Sequence, residues 1–157
     1  MAINFEATFK SEQIDAFLKG LSKRHDQIEN RDRQVVGIMS AIVFRDIIQH
    51  FDRSEGPDGK WKAWSKAYRR RMWEAGKLGN KILIDSGRLR NSFTMASYRT
   101  SNEGIVWYNN AKTKTGFPYA ALHNEGGRFH PARPFMWLSD GAMETIEEQI
   151  LRFLEGG

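Results

Sequence analysis

The stretch at residues 82–93, Ile-Leu-Ile-Asp-Ser-Gly-Arg-Leu-Arg-Asn-Ser-Phe, constrains the fold of this chain more than any other. Three consecutive apolar residues, 82–84, predict a short buried strand. Asp85 and Ser86 are favourable helix N-caps, because a side-chain oxygen there can accept hydrogen bonds from the free N–H groups of a following turn. Gly87 gives the backbone freedom at this corner. The stretch therefore predicts a strand, a capped corner and a helical turn, and nothing in it requires a substrate.

The residues after the corner predict how it is held in place. Leu89 and Phe93 are four residues apart, so they lie on one face of the helical turn and can pack together in the core. A further strand is expected to begin near Phe93. Asp85 is therefore interpreted as a helix cap rather than as a general base, and the whole corner as structural.

The N-terminal third predicts one strand and two helices. Residues 3–9 alternate apolar and polar, which is the period of a half-buried strand. Ser11 is a suitable cap for a first helix with the apolar stripe Ile14, Phe17, Leu18 and Leu21. A longer helix is predicted from about residue 32 to 51, with the stripe Val36, Met39, Val43 and Ile47. Further apolar residues widen that stripe, so we expect this helix to be covered on more than one side.

The rest of the chain predicts shorter elements. Residues 52–60 are turn-forming throughout, and residues 109–117 form a polar, mobile loop. The other predicted elements are a basic helix capped by Ser65 and ended by Gly76, strands at 93–98 and 105–108, a helix from Pro118 to His123 ended by Gly126 and Gly127, and a final helix capped by Ser139 with the stripe Met143, Ile146, Ile150 and Leu154. Clustered strands between helices predict an α+β fold, a small and mainly antiparallel sheet packed with two long helices and a C-terminal helix. A length of 157 residues without repeats predicts a single domain, 1–157.

The composition excludes several classes of protein. The chain has no cysteine, which removes disulfides, thiolate catalysis and the usual structural zinc sites. Residues 1–10 do not have the pattern of a signal peptide, and no apolar run approaches the ~20 residues of a membrane helix. We therefore expect a soluble protein made in a reducing compartment, with no membrane partner.

The candidate catalytic residues do not form a convincing site. His123, Glu125 and His130 could be written as a metal triad or an acid–base pair. However, residues two apart do not share a helical face, and the i+4 position from His123 is Gly127. Ser86 lacks the Gly-x-Ser-x-Gly context of a nucleophile, and no phosphate-binding glycine loop occurs. We expect no enzyme activity, no catalytic residue, no metal and no cofactor.

A basic and aromatic stretch at residues 60–73 has three possible interpretations. It can bind a protein partner through Trp61, Trp64, Arg69, Arg70, Arg71 and Trp73, since tryptophan and arginine are enriched at interface hot spots. It can equally bind nucleic acid through phosphates and stacked bases, or be a solvated face. Because like charges and exposed rings are unfavourable to order, the segment 54–77 is predicted to be mobile until a partner orders it.

The charge is unevenly distributed along the chain. Residues 60–90 carry a balance of +8, whereas the last 19 residues carry −4. Such an asymmetry can steer association between copies or with another partner.

Three motifs resemble those of the bacteriophage virion-morphogenesis or tail-completion proteins. The first comprises Ile84, Asp85, Ser86, Gly87, Leu89 and Ser92. The second is Tyr-Ala-Ala-Leu-His-Asn-Glu-Gly-Gly at 119–127, which includes Gly126 and Gly127. The third is Pro-Ala-Arg-Pro-Phe, which comprises Pro131, Arg133, Pro134 and Phe135 and is followed by a capped helix.

The resemblance implies a non-catalytic structural protein of a phage or prophage that acts in tail completion or head–tail joining. It implies a homo-oligomer, expected to be a ring, with other phage tail or neck proteins as partners and possible contact with DNA in the neck. Such a protein would be located in the host cytoplasm during assembly and then in the virion. The alternative function is that of a small basic DNA-binding protein that uses residues 60–77.

Overall fold

A computed structural model of the chain describes residues 5–8, 29–101, 104–109 and 111–155. The helix predicted to begin at Ser11 lies outside these residues. The elements are, in chain order, β1 (Phe5–Thr8), α1 (Glu29–Arg53), β2 (Glu55–Gly56), β3 (Gly59–Lys60), α2 (Lys66–Glu74), α3 (Arg88–Asn91), β4 (Tyr98–Ser101), β5 (Gly104–Asn109), α4 (Tyr119–Glu125) and α5 (Asp140–Glu155).

Helices and small antiparallel sheets together give an α+β fold, as the sequence predicts. One sheet has the strand order β1-β5-β4, in which β4 and β5 form an antiparallel hairpin with Tyr98 opposite Trp107. The pairing of these two strands continues to Ser101 and Gly104. The second sheet is the two-stranded hairpin β2–β3.

The long helix α1 confirms the predicted core helix and extends it at both ends. Its buried apolar face begins at Val35 rather than at Val36, which is only half-buried, and continues through Met39, Val43 and Ile47. The same face also buries the polar residues Ser40, Asp46 and His50. Apolar periodicity could not reveal these three, because it reports the spacing of apolar side chains and not the burial of polar ones.

The chain divides into two compact units. The first is built mainly from Ile47–Phe93 and Asn109–Trp137, and the second contains the described residues between Glu6 and Asp46, Thr94–Tyr108, and those from Leu138 onward. The single domain, 1–157, stays a prediction.

The first unit has an aromatic core. Phe51 lies at its centre, with ring centroids 5.8 Å from Trp61, 6.1 Å from Phe93 and 5.0 Å from Phe135. Phe93 and Phe135 also meet edge to face at 5.8 Å. Since aromatic rings bury large areas and favour tilted or edge contacts, this cluster joins the end of α1 to three separate parts of the sequence.

The second unit contains the β4–β5 hairpin and α5. Ser139 caps α5 as predicted, because its Oγ accepts a hydrogen bond from the N–H of Ala142. The buried carboxylate of Asp46 in turn accepts bonds from the Ser139 N–H at 2.8 Å and from its hydroxyl at 2.7 Å. Ile146 and Ile150 are buried on the inner face of α5. The side chain of Leu154 lies outside the described residues.

Two strand predictions in the first motif are wrong. Residues 82–84 form a turn rather than a strand, with Leu83 at a positive φ of 62°. The strand expected near Phe93 begins instead at Tyr98, because Thr94 and Ser97 form a side-chain-bonded turn before it. A run of three apolar residues cannot distinguish a strand from a half-buried turn, since burial requires only apolar character.

Some of the other elements agree with their predicted ends and some do not. The turn region 52–60 contains the β2–β3 hairpin, whereas α2 is capped by Ser65 and followed by Gly76 at a φ of +68°, as predicted. Asn109 ends β5 and so does not belong to the loop predicted at 109–117. The mobility of that loop and of the segment 54–77 stays a prediction.

Candidate interaction site

The Asp-Ser-Gly corner is built differently from its predicted capping. Gly87 itself is the N-cap of α3, with a φ of +74°, and its lack of a side chain leaves no capping bond. The carboxylate of Asp85 instead accepts a 2.6 Å hydrogen bond from Lys77 Nζ. Ser86 Oγ reaches the N–H of Arg88 only at 3.5 Å. The prediction that Asp85 caps the helix is therefore wrong, whereas Gly87 has the left-handed geometry that favours glycine.

The remaining residues of this motif anchor the corner within the first unit. Leu89 and Phe93 are buried, as expected for packed residues. Ser92 Oγ donates to the carbonyl of Leu89 at 2.6 Å and accepts a 2.6 Å bond from Asn109 Nδ2. Asn109 Oδ1 accepts a further bond from the N–H of Ala111. Sequence reasoning missed Asn109, because its partner Ser92 lies 17 residues away.

The Pro-Ala-Arg-Pro-Phe motif is fixed by side chains from outside it. Trp61 Nε1 donates to the carbonyl of Pro134 at 2.8 Å. Asn124 Oδ1 accepts hydrogen bonds from the backbone N–H groups of Phe135 and Met136. The N–H of Arg133 donates to the carbonyl of His123. An extended, proline-rich segment cannot pair its own backbone groups. These bonds satisfy four of them, the Pro134 carbonyl and the N–H groups of Arg133, Phe135 and Met136.

The two glycines of the second motif allow a close return of the chain. Gly126 ends α4 with a φ of +79°, and a Cβ built there would lie 2.6 Å from the backbone nitrogen of Ala132. Gly127 then pairs with His130 through two backbone hydrogen bonds. The resulting tight turn presents Phe129, a residue that is 82% exposed.

These motifs together form a cleft of about 1240 Å³ in the first unit. Its basic lining comprises Lys62, Lys66, Arg71, Lys81, Arg88, Arg128 and Arg133. Its aromatic lining comprises Trp64, Tyr68, Tyr119 and Phe129. Among the described residues that line the cleft, Asp85 is the one carboxylate, and it is already paired with Lys77. The cleft is therefore strongly cationic, with apolar ring surface on its edges.

Arg133 differs from the other cations of the cleft because it is buried, with 9% exposure. Its Nε donates to the carbonyl of Lys62 at 3.1 Å. Within the described part of the chain, its guanidinium has no carboxylate partner. Burial lowers the pKa of Arg133 below the ordinary value, and the nearby Tyr68 opposes that shift. A buried guanidinium with free N–H groups is a receptor for an anionic group, since such groups bind carboxylates and phosphates in bidentate geometry.

His123 also lines the cleft. Its Nδ1 is buried and has no hydrogen-bond partner among the described residues. Desolvation by burial lowers the pKa of His123, and the charges of Arg133 and His130 lower it further. The rings of His123 and His130 lie 6.5 Å apart. Among the residues that the structure describes, no three His, Asp or Glu side chains are grouped so as to hold a metal ion.

The candidate interface residues separate into three groups. Trp64 and Arg71 line the cleft, where the Arg71 guanidinium lies 4.8 Å from the centre of the Tyr68 ring. Trp61 is only 6% exposed and belongs to the aromatic core, so its prediction as an exposed interface residue is wrong. The others, Arg69, Arg70 and Trp73, are exposed but do not line the cleft, and Arg70 pairs with Glu74.

The structural motif residues also separate. Those that line the cleft are Asp85, Ser86, Gly87, Leu89, Gly127, Pro131 and Arg133. Ser92, Gly126, Pro134 and Phe135 support it through the contacts described above. Sequence reasoning did not single out the cleft residues Lys81, Arg88 and Arg128, because no local pattern shows that separated cations converge.

Comparison with known proteins identifies the class to which this arrangement belongs. The model of the phage virion morphogenesis family matches residues 9–155. The chain belongs to this family. It is also 24% identical over 153 residues to "Mu-like prophage FluMu G protein 1" of Haemophilus influenzae, covering 97% of this chain and 96% of that protein. No solved structure matches the chain.

Membership of the virion morphogenesis family gives the chain a structural or assembly role in a phage or prophage particle. The match includes all three motifs and the residues that line the cleft. In the described part of this virion morphogenesis protein, no helix is both long and apolar enough to cross a membrane.

Proposed function

We propose that this protein acts in tail completion or head–tail joining as a non-catalytic, ring-forming oligomer. The observation that carries the proposal is the match to the virion morphogenesis family over residues 9–155. A protein of that role contributes surfaces rather than chemistry. The partners would be further copies of this chain and other phage tail or neck proteins, met first in the host cytoplasm and then in the virion.

The arrangement of the first unit supports a docking role. Residues of all three motifs line one cationic cleft, and Phe135 of the third motif also belongs to the aromatic core, so the residues that typify the sequence are used to shape a surface. A ring requires heterologous contacts, in which two different patches of each copy fit one another. The cleft supplies one such patch.

A DNA-binding function is the second candidate, and the seven cations that line the cleft favour it. The two functions differ in their dependence on salt. Neutralised phosphates release counterions, so DNA affinity falls linearly with the logarithm of salt concentration, with a slope of about −0.9 per phosphate contacted. If the assembly role is correct, the wild-type protein should not shift duplex DNA in a gel. A shift whose affinity falls with salt at a slope of several phosphate contacts would favour the DNA-binding function.

A deletion in a prophage that encodes this protein tests the proposed function. We expect the deletion to leave heads and tail parts present but to lower the yield of complete particles, with electron microscopy as the measurement. Native mass spectrometry of the purified wild-type protein should show a discrete oligomer with or without DNA. Normal particle yield from the deletion strain would contradict the proposal.

A further inference from the structure

Among the described residues, the cleft of the first unit has one carboxylate, Asp85, and that carboxylate is already paired with Lys77. Six of its seven Lys and Arg residues are exposed, and the seventh, Arg133, is buried without a carboxylate in the described chain. Phe129 leaves most of its ring in water, with the Arg128 guanidinium 5.2 Å from its centre. An occupant of this cleft must therefore supply negative charge and some apolar surface together.

The outer face of α5 has those two properties. Asp140, Glu144 and Glu148 follow at intervals of four residues, and Leu151 and Glu155 continue the same face at intervals of three and four. All five are exposed, and Leu151 has 57% of its surface in contact with water. Residues at these intervals are neighbours on a helix. α5 thus presents a stripe of four carboxylates and one apolar residue, with Arg152 beside it at 3.9 Å from Glu148.

We propose that the cleft of one copy binds the exposed acidic face of α5 from a second copy. This inference rests on the proposed assembly function and names the two patches that a repeating contact between copies requires. Because the patches differ, each copy can bind one neighbour through its cleft and another through its helix. Contacts of this kind close into a ring when the rotation between copies allows it.

The geometry favours protein carboxylates over the phosphates of duplex DNA. Arg133 is nine-tenths buried, so an anion must project into the cleft to reach its guanidinium. Glutamate carboxylates stand on flexible stems, whereas the phosphates of a duplex follow a broad convex backbone. The exposed ring of Phe129 also favours the helix over DNA. Leu151 can give that ring an apolar contact, whereas a phosphate backbone cannot. The cleft volume also exceeds the roughly 300–1,000 Å³ typical of small-molecule sites.

Reciprocal charge reversal tests the contact in the full-length chain. The cleft variant is Arg71→Glu with Arg88→Glu, and the helix variant is Glu144→Arg with Glu148→Arg. All four residues are exposed, so the folds should be retained, and circular dichroism with thermal unfolding checks this. Sedimentation velocity over a range of protein concentrations measures assembly.

Matched controls carry the same change of charge elsewhere. Arg33→Glu with Arg45→Glu matches the cleft variant, and Asp58→Arg with Glu125→Arg matches the helix variant. These four residues are exposed and lie outside both patches. We expect the controls to assemble at the wild-type concentration.

Each reversal should raise the concentration needed for half-assembly at least about tenfold, because like charges then face each other across the contact. An equimolar mixture of the two variants should regain assembly, since each acidic face again meets a basic one. Failure of the mixture to recover would overturn the inference. So would an effect of the helix variant that does not depend on protein concentration, because that indicates binding within one chain.

Other outcomes separate this inference from the proposed function. A wild-type oligomer that both reversals leave intact would overturn the contact but retain the assembly role. A wild-type chain that stays monomeric would overturn the contact, and normal particles from the deletion strain would overturn the role itself. Loss of DNA retention by the cleft variant with unchanged assembly would assign the cleft to nucleic acid.

Discussion

The indole N–H of Trp61 donates a 2.8 Å hydrogen bond to the carbonyl oxygen of Pro134, 73 residues further along the chain. The same ring meets Phe51 edge to face in the core of the first unit. One side chain thus joins the basic stretch to the Pro-Ala-Arg-Pro-Phe motif. Three cations of that stretch, Lys62, Lys66 and Arg71, line the cleft.

Replacement of Trp61 should therefore affect stability before it affects binding. Trp61→Phe should lower the free energy of unfolding by about 1–3 kcal/mol, because it leaves the part-buried carbonyl of Pro134 without its donor. Trp61→Ala should cost about 3–5 kcal/mol. Urea unfolding measures both. Trp73→Ala is the matched control, and at 65% exposure it should change stability by less than about 0.5 kcal/mol.

Gly126 and Gly76 both have a positive φ. Alanine at each position therefore distinguishes the cost of backbone strain from the cost of steric overlap. At Gly76 nothing lies within 4 Å of a built Cβ, so Gly76→Ala should cost only the left-handed strain of about 1–2 kcal/mol. At Gly126 the Cβ would also meet backbone atoms of Ala132. Gly126→Ala should therefore cost about 2–5 kcal/mol, because overpacking adds about 1–3 kcal/mol to the strain of the positive φ. Equal thermal stabilities of the two variants would show that the chain relaxes freely at Gly126.

Leu89 tests the structural interpretation of the Asp-Ser-Gly motif. Leu89→Ala should lower the free energy of unfolding by about 2–5 kcal/mol, because Leu89 is buried beneath the corner. Leu78→Ala removes the same atoms from an exposed site and should cost less than about 0.5 kcal/mol. Chemical denaturation compares them. A Leu89 variant as stable as the wild type would assign this motif to binding rather than to folding.

Arg133 is expected to favour binding at the expense of stability. Arg133→Met keeps a long side chain but removes a buried charge that has no carboxylate partner in the described chain. Replacing buried charge by apolar groups is often neutral or stabilising, even after loss of the bond to the Lys62 carbonyl. We expect an unfolding free energy equal to or above that of the wild type, together with weaker assembly in sedimentation velocity. A large loss of stability would show that Arg133 is chiefly structural.

His123 should make the stability depend on pH. Its pKa in the folded chain lies below the ordinary value of 6.5, so the unfolded chain binds more protons at mildly acidic pH. The stabilising contribution of neutral His123 is therefore complete above pH 6.5 and is lost as the pH falls toward the folded pKa. Unfolding measured from pH 7.5 to 5 should show this decline, and His123→Gln should reduce it.

An NMR titration of the His123 ring provides the direct measurement. Arg133→Met should raise the pKa of His123 in that titration, because the charge of Arg133 contributes to lowering it. An unchanged pKa of His123 in the Arg133 variant would contradict the electrostatic coupling between the two residues.

Local chemistry in the sequence determined where α2 and α5 begin and where α2 and α4 end. Ser65 and Ser139 begin helices because a hydroxyl oxygen can satisfy free N–H groups within three residues, and Gly76 and Gly126 follow helices because they accept a positive φ. Leu89 and Phe93 were identified as buried by their spacing alone. The family resemblance likewise depended on short motifs. The match of the family model to residues 9–155 confirms it.

Tertiary structure alone decided which polar and aromatic groups are inside and which cations converge. Trp61 is buried because Pro134 and Phe51 lie beside it, and neither neighbour is visible in the stretch 60–73. Residues 82–84 form a turn although their apolar pattern allows a strand. The cleft gathers cations from segments up to 71 residues apart, as the bond between Arg133 and Lys62 shows. Sequence patterns report interactions within about one helical turn or along one strand, whereas a binding surface depends on contacts between distant segments.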